Sequence, residues 1–216
     1  MARKFKTATA AGTFDFFHKG HEAFLLAAFD AADAIYIAIT SDAFAKQSRP
    51  HEEIAPFTDR REHVKSFLKK HNLVSRSKFI ELDDIYGPTL EPDCPIEAIV
   101  VTKKTLYGAE LINKLRKQKG LGELGIVKVA YIKAEDGGDL SSSRIRNGEI
   151  DRQGKLCIKP EWSRKILRLP DTIRPLLQRP IGELIEGSEE DLSKAVEVIK
   201  KRLSHHRGQF GMIITV

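Results

Sequence analysis

The residues best placed to do chemistry lie near the start of the chain, in Gly12-Thr13-Phe14-Asp15-Phe16-Phe17-His18-Lys19-Gly20-His21. A β-rich run, Phe5–Ala11, precedes them and a helical pattern, Gly20–Asp33, follows at once. A strand-to-helix turn of this kind carries free backbone N–H groups beside a helix N-terminus, a natural seat for a phosphate. His18 and His21 are three apart, so a helical turn points them the same way. Two imidazoles aimed at a phosphate can hydrogen-bond its oxygens and stabilise the charge that builds during in-line displacement. No side chain in the segment resembles a nucleophile with an adjacent base. That suits phosphoryl or nucleotidyl transfer, where positioning and charge neutralisation supply most of the catalysis. The competing readings are a helix start decorated by chance and a zinc pair. Zinc needs further ligands, and the other histidines (51, 63, 71, 205 and 206) sit in surface-like contexts.

Two further groups fit an anionic ligand. Lys46 follows the second apolar run, where a lysine past the carboxyl end of a strand reaches a bound phosphate; a solvated loop lysine is the alternative. Gly137-Gly138-Asp139-Leu140 leads into Ser141-Ser142-Ser143-Arg144-Ile145-Arg146. Three hydroxyls at a helix start, followed by two arginines, form a second candidate anion site. The alternative is that Ser141 only caps the helix and the arginines are surface charge.

These residues need a scaffold, and the pattern predicts one. Ala34–Thr40 is nearly all apolar, as expected of a strand covered on both faces. Thr58–His71 reads as helix, with Val64, Phe67 and Leu68 spaced for burial. Lys78–Asp83, Ile96–Thr102 and Ile126–Ile132 read as strands, and Thr105–Lys119 as a helix stopped by Gly120. This alternation predicts an α/β domain with a Rossmann-like parallel sheet flanked by helices. Its ligands are then expected at the carboxyl ends of the strands.

The N-terminal motif resembles the GTFD–HxGH signature of the nucleotidyltransferase superfamily, which includes cytidylyltransferases. The resemblance implies that His18 and His21 contact nucleotide phosphates, with His21 the main stabiliser of the transition state. It implies that Gly12, Thr13 and Phe14 shape the phosphate turn, with Thr13 near the reacting phosphates, and that Asp15 orders it. Ala11-Gly12 stands where the family usually has two glycines. Lys46 lies in a stretch resembling the one that carries a phosphate-binding lysine in phosphopantetheine adenylyltransferases. Ser141, Ser142, Ser143, Arg144 and Arg146 resemble the ISSTRIR motif that binds the β- and γ-phosphates of ATP. The RTEGIST-type motif of choline- or glycerol-phosphate cytidylyltransferases is absent from the sequence.

Three more stretches narrow the resemblance: Ile54–Arg61, Val100–Arg116 and Ala134–Gly137. With both motifs they are similar to the archaeal and eukaryotic type of phosphopantetheine adenylyltransferase, across about residues 5–155. The reaction this implies is ATP plus 4′-phosphopantetheine giving dephospho-CoA and pyrophosphate, with Mg²⁺ as cofactor and no metal site in the protein itself. The implied setting is coenzyme A biosynthesis in the cytoplasm. Nicotinamide mononucleotide or flavin mononucleotide as acceptor, and a catalytically weak nucleotide- or CoA-binding module, are the alternatives. Asn113 and Arg116 lie three apart on one helix, spaced to face the nucleotide; a solvated face is the other reading.

The 216 residues amount to roughly one and a half domains at ~150 residues each. A composition of 41% apolar and 31% charged residues supplies a core and argues against disorder. No apolar run approaches the ~18 residues of a membrane span, and no signal-type apolar stretch follows the basic start. The net charge of +6 divides evenly, +3 in residues 1–155 and +3 in 156–216. A mild, spread excess suits a small anionic substrate and gives no footprint for nucleic acid. Cys94 and Cys157 are too few for a disulfide framework or zinc ribbon and read as reduced thiols. The expected partners are therefore small molecules, with neither nucleic acid nor membrane; oligomeric state is open.

Composition shifts after Asp151–Lys159, which sets the expected domains at 1–157 and 158–216. Prolines recur at 160, 170, 175 and 180, a capped helix is expected over Glu189–His206, and Gly211–Val216 reads as a buried strand. This tail resembles the start of archaeal GTP-dependent dephospho-CoA kinases, whose catalytic Gly-Asp motif follows such a strand. The expectation is the truncated front of a second enzyme, without kinase activity.

Overall fold

The structure is a computed structural model; it describes residues 3–157 and the backbone of two later strands, 181–186 and 211–215. It divides into two compact units, Met1–Ile132 and Lys133–Val216. Residues 133–157, which composition groups with the first domain, cluster with the second unit. The helix expected over Glu189–His206 lies outside the described residues.

The first unit alternates strand and helix. In order these are β1 (Phe5–Gly12), α1 (Lys19–Ala31), β2 (Ala32–Thr40), α2 (Asp42–Ser48), α3 (Phe57–Lys70), β3 (Ser77–Leu82), β4 (Ala98–Val101), α4 (Leu106–Gln118) and β5 (Gly125–Lys128). The sheet order is β3-β2-β1-β4-β5. All four pairings are parallel, Thr9 lying between Tyr36 on one side and Ile99 on the other. This is the Rossmann-like sheet that the apolar runs predict. Strand order reverses between β1 and β4, so the carboxyl end of β1 opens at the switch point where such sheets bind ligands.

Both faces are covered, and side chains sort by the strand's period of two. On one face Ile35, Ile37 and Ile39 pack with Leu25, Ala28 and Phe29 of α1 and Val64, Phe67 and Leu68 of α3. On the other, Ile99 and Val101 pack with Ala109 and Ile112 of α4, and Tyr36 joins them. β1 is central and keeps small residues, with Ala8, Thr9 and Ala10 all buried.

Two elements differ from expectation. The stretch holding Lys46 is helix α2 rather than loop. The Ser41 hydroxyl caps it, accepting the Phe44 N–H at 3.2 Å. β5 stops at Lys128 instead of reaching Ile132. Its neighbour β4 ends at Val101, and one further bond, from Val129 N–H to the Val101 carbonyl (2.8 Å), closes the ladder.

Arginines fix the far end of α1. Arg76 donates to the carbonyls of Phe29 (2.7 Å), Ala32 (2.8 Å) and Asp33 (2.8 Å), and Arg3 to that of Phe29 (3.0 Å). These carbonyls span the junction of α1 and β2, and that of Phe29, in the last turn of the helix, lacks an intrahelical donor.

The second unit begins with a tight fold in which Lys133 and Asp139 form an antiparallel bridge. It leads into the one-turn helix α5 (Ser142–Arg146), capped by Ser141. Further on, β6 (Ile181–Glu186) and β7 (Gly211–Thr215) pair in parallel. Among the described residues no helix is long and apolar enough to cross a membrane.

Ile37 is fully buried in the centre of the sheet. Ile37→Ala should therefore cost about 2–5 kcal/mol of stability in urea denaturation; a loss near zero would contradict this account of the core.

Candidate active site

The turn after β1 is built by strained backbone around a buried ring. Phe14 and Phe16 adopt left-handed φ angles of 55° and 45°, conformations that cost about 1–3 kcal/mol in residues other than glycine and gather at functional sites. Phe14 is buried. A Cβ on Gly12 would sit 3.2 Å from the Phe14 ring, so glycine there lets the ring fold back under the strand end. Buried Asp15 accepts the Ala55 N–H at 3.2 Å and ties the turn to the segment before α3.

His18 caps α1. Its Nδ1 accepts the Gly20 N–H at 3.1 Å. A neutral His18 therefore keeps its proton on Nε2, available to donate. His21 lies one turn on, and the two rings stack with centroids 3.8 Å apart and planes 19° apart. Phe17 and Phe14 pack on His21 at 5.6 and 5.2 Å. His21 Nδ1 is buried and has no hydrogen-bond partner among the described residues. Burial first, then the neighbouring His18 and Arg49, hold the His21 pKa well below its ordinary value. The imidazole pair predicted from the HxxH spacing thus forms, with His21 neutral.

Arg60 organises the surroundings, and sequence reasoning missed it. Its side chain is 0% exposed. Nε donates to the Ala55 carbonyl (2.7 Å), Nη1 to the Thr13 carbonyl (2.9 Å) and the Thr40 hydroxyl (3.3 Å), and Nη2 to Asp42 Oδ1 (2.8 Å). The same carboxylate oxygen accepts the Phe57 N–H at 2.8 Å. One cation thus joins the turn after β1, the end of β2, the start of α2 and the entry to α3. Position 60 is four before Val64 and seven before Phe67, on the apolar stripe of its helix; an arginine there was the available signal.

Helix α2 presents two cations. Lys46, expected on a phosphate, lies exposed in its last turn. Arg49 follows at the helix end, and its Nη1 donates to the Thr13 hydroxyl at 2.7 Å. Arg49 also lies 3.9 Å from Glu52.

Asn113 and Arg116 do not serve the expected face. Asn113 pairs both ways with Leu124, donating to its carbonyl and accepting its N–H, each at 2.9 Å. Buried Arg116 donates to the carbonyls of Gly122 (2.6 Å) and Thr89. Both are spent on the backbone that follows α4 and on the turn Gly87–Leu90.

In the second unit, Ser141 is the cap of α5, its hydroxyl accepting the Arg144 N–H at 3.4 Å, and Ser142 and Ser143 form the first turn. Arg144 departs from expectation. Its guanidinium is neutralised by Asp136 and by Glu149 (2.8 Å) and also donates to the Asp139 carbonyl at 3.3 Å. It clamps the 136–139 turn to the helix. Arg146 is half-buried in the last turn. No cluster of three or more His, Cys, Asp or Glu able to hold a metal occurs among the described residues.

A parallel sheet whose central strand ends in paired imidazoles at a helix N-terminus has the geometry to receive a phosphate. Residues 9–148 match the cytidylyltransferase-like family model. The chain is 38% identical to the phosphopantetheine adenylyltransferase of Methanothermobacter thermautotrophicus over 156 residues, covering 72% of this chain and 92% of that protein. It is 38% identical to the enzyme of the same name from Pyrococcus abyssi over 151 residues, covering 70% and 95%. A solved protein of unknown function from Archaeoglobus fulgidus is 28% identical with a TM-score of 0.50, covering 63% of this chain and 99% of its own. The chain therefore belongs to the cytidylyltransferase-like nucleotidyltransferases, and within them to the family of the archaeal phosphopantetheine adenylyltransferases.

Two predictions follow from this geometry. Arg60→Met leaves the Thr13 and Ala55 carbonyls without their donor and should cost about 2–4 kcal/mol in chemical denaturation. Asp42→Asn should cost less, since Asp42 is 62% exposed. In an NMR titration His21 should protonate well below the ordinary histidine value of about 6.5. Below the ordinary histidine value of about 6.5 the unfolded chain takes up this proton and the native chain does not, so the His21 contribution to stability falls as pH falls through that window.

Proposed function

We propose that this chain transfers the adenylyl group of ATP to 4′-phosphopantetheine, giving dephospho-CoA and pyrophosphate. A phosphate oxygen of the acceptor attacks the α-phosphorus in line. The new P–O bond forms as the bond to the bridging oxygen breaks, and pyrophosphate leaves with the electron pair. The observation that carries the reading is the stacked His18–His21 pair at the N-terminus of α1. His18, its Nδ1 taken by the Gly20 N–H, and His21, held neutral by burial, each keep an N–H for a phosphate oxygen, so charge that grows at the transition state meets donors already in place. The acceptor assignment is supported by relatives of that name at 36–38% identity across more than nine-tenths of their length.

Mg²⁺ belongs to the proposal as a companion of the nucleotide. It is commonly bound through substrate phosphates and water rather than by an all-protein cage.

His21→Ala should lower turnover by about 10²–10³-fold and change ATP affinity little, as expected for a group acting in the transition state. Pyrophosphate release and calorimetric ATP binding measure the two. A screen of pyrophosphate release over 4′-phosphopantetheine, nicotinamide mononucleotide and flavin mononucleotide tests the acceptor. Preference for either mononucleotide would overturn the assignment.

A further inference from the structure

We propose that Arg49, rather than Lys46, is the cation that engages the reacting phosphate oxygens beside Thr13. The inference rests on the adenylyl-transfer reading and names a residue that no motif assigns.

The argument is geometric. Ala45 and Arg49 are four apart across the end of α2, on one face, whereas Lys46 is turned about 100° away from Ala45. Ala45 is buried and Lys46 is exposed. Among the described residues Lys46 accordingly makes no hydrogen bond or ion pair. Arg49 reaches back across the sheet end to Thr13 Oγ1 at 2.7 Å, spending one of its five N–H donors. By donating to that oxygen it also directs the Thr13 hydroxyl hydrogen elsewhere, free to meet a phosphate. Its side chain is 44% exposed and its acidic neighbour Glu52 is distant at 3.9 Å. The fork therefore keeps accessible donors and a charge met only by this long ion pair, the combination that binds phosphate oxygens in pairs. A second observation agrees: Arg49 is close enough to bear on His21, helping to hold that imidazole neutral. The guanidinium, the Thr13 hydroxyl and His21 thus border one position at the end of β1.

The test compares Arg49→Met, Arg49→Lys and Lys46→Met in the full chain. Pyrophosphate release from ATP and 4′-phosphopantetheine should fall more than tenfold in kcat/KM for Arg49→Met, and by more than for Lys46→Met, with Arg49→Lys recovering part of the loss. A rise in KM for the acceptor assigns Arg49 to the incoming phosphate; a rise in KM for ATP assigns it to the nucleotide. A loss below tenfold, or no greater than that of Lys46→Met, overturns the proposal. Two readouts do not depend on the acceptor. The His21 titration midpoint should rise in Arg49→Met and stay in Lys46→Met. Inorganic phosphate, followed by its effect on the His21 signals, should bind at least tenfold more weakly to Arg49→Met; equal affinity would overturn the proposal even if the wild-type protein preferred another acceptor. Thermal melting verifies that each variant is folded.

Discussion

A single buried guanidinium holds the site together. Arg60 has no exposed surface and places its donors on four separate stretches of chain. Burying such a charge is costly unless every donor is met and an opposite charge is near. Asp42 supplies the charge, and three backbone or hydroxyl oxygens complete the set. The cost is thereby converted into a constraint, because those oxygens satisfy the cation only when the turn after β1, the end of β2 and the entry to α3 sit in one arrangement. The strained backbone at Phe14 and Phe16 persists within that frame.

The frame serves a site built from oriented N–H donors. His21 is neutral, His18 has its Nδ1 occupied by the Gly20 N–H, and the start of α1 contributes its own N–H groups. Burial and mutual proximity of the two rings work toward one end. A charge on His18 disfavours protonating the ring stacked on it, so His21 stays a neutral N–H donor. Donors fixed in advance need no reorganisation as negative charge moves toward the leaving group.

Much of this was legible in the sequence. The HxxH spacing at a strand-to-helix junction identified the imidazole pair, and the unbroken run Ala34–Thr40 identified a strand buried on both sides. Local patterns failed where tertiary bonds decide. Helix α2 has seven residues, too few to show a period, and its start is marked only by the Ser41 cap. The Arg49–Thr13 bond spans 36 positions and leaves no trace in either neighbourhood. Arg60 and Arg61 are chemically alike, and only their register against Val64 and Phe67 separates the buried one from the exposed one. Asn113 and Arg116 have the spacing of ligand-facing residues, but the loop after α4 takes both.

The arginines beneath α1 have a mechanical meaning. Arg76 and Arg3 grip carbonyls of Phe29, Ala32 and Asp33 at the far end of α1, Phe29 lying eight residues beyond His21, a rise of about 12 Å along the helix. A rod of that length, free at one end, would swing its tip by ångströms for a tilt of a few degrees. Pinned beneath by two guanidiniums and at the tip by the His18 cap and the Asp15 tether, α1 behaves as a strut, so the alignment of the two rings depends partly on residues at the opposite edge of the sheet.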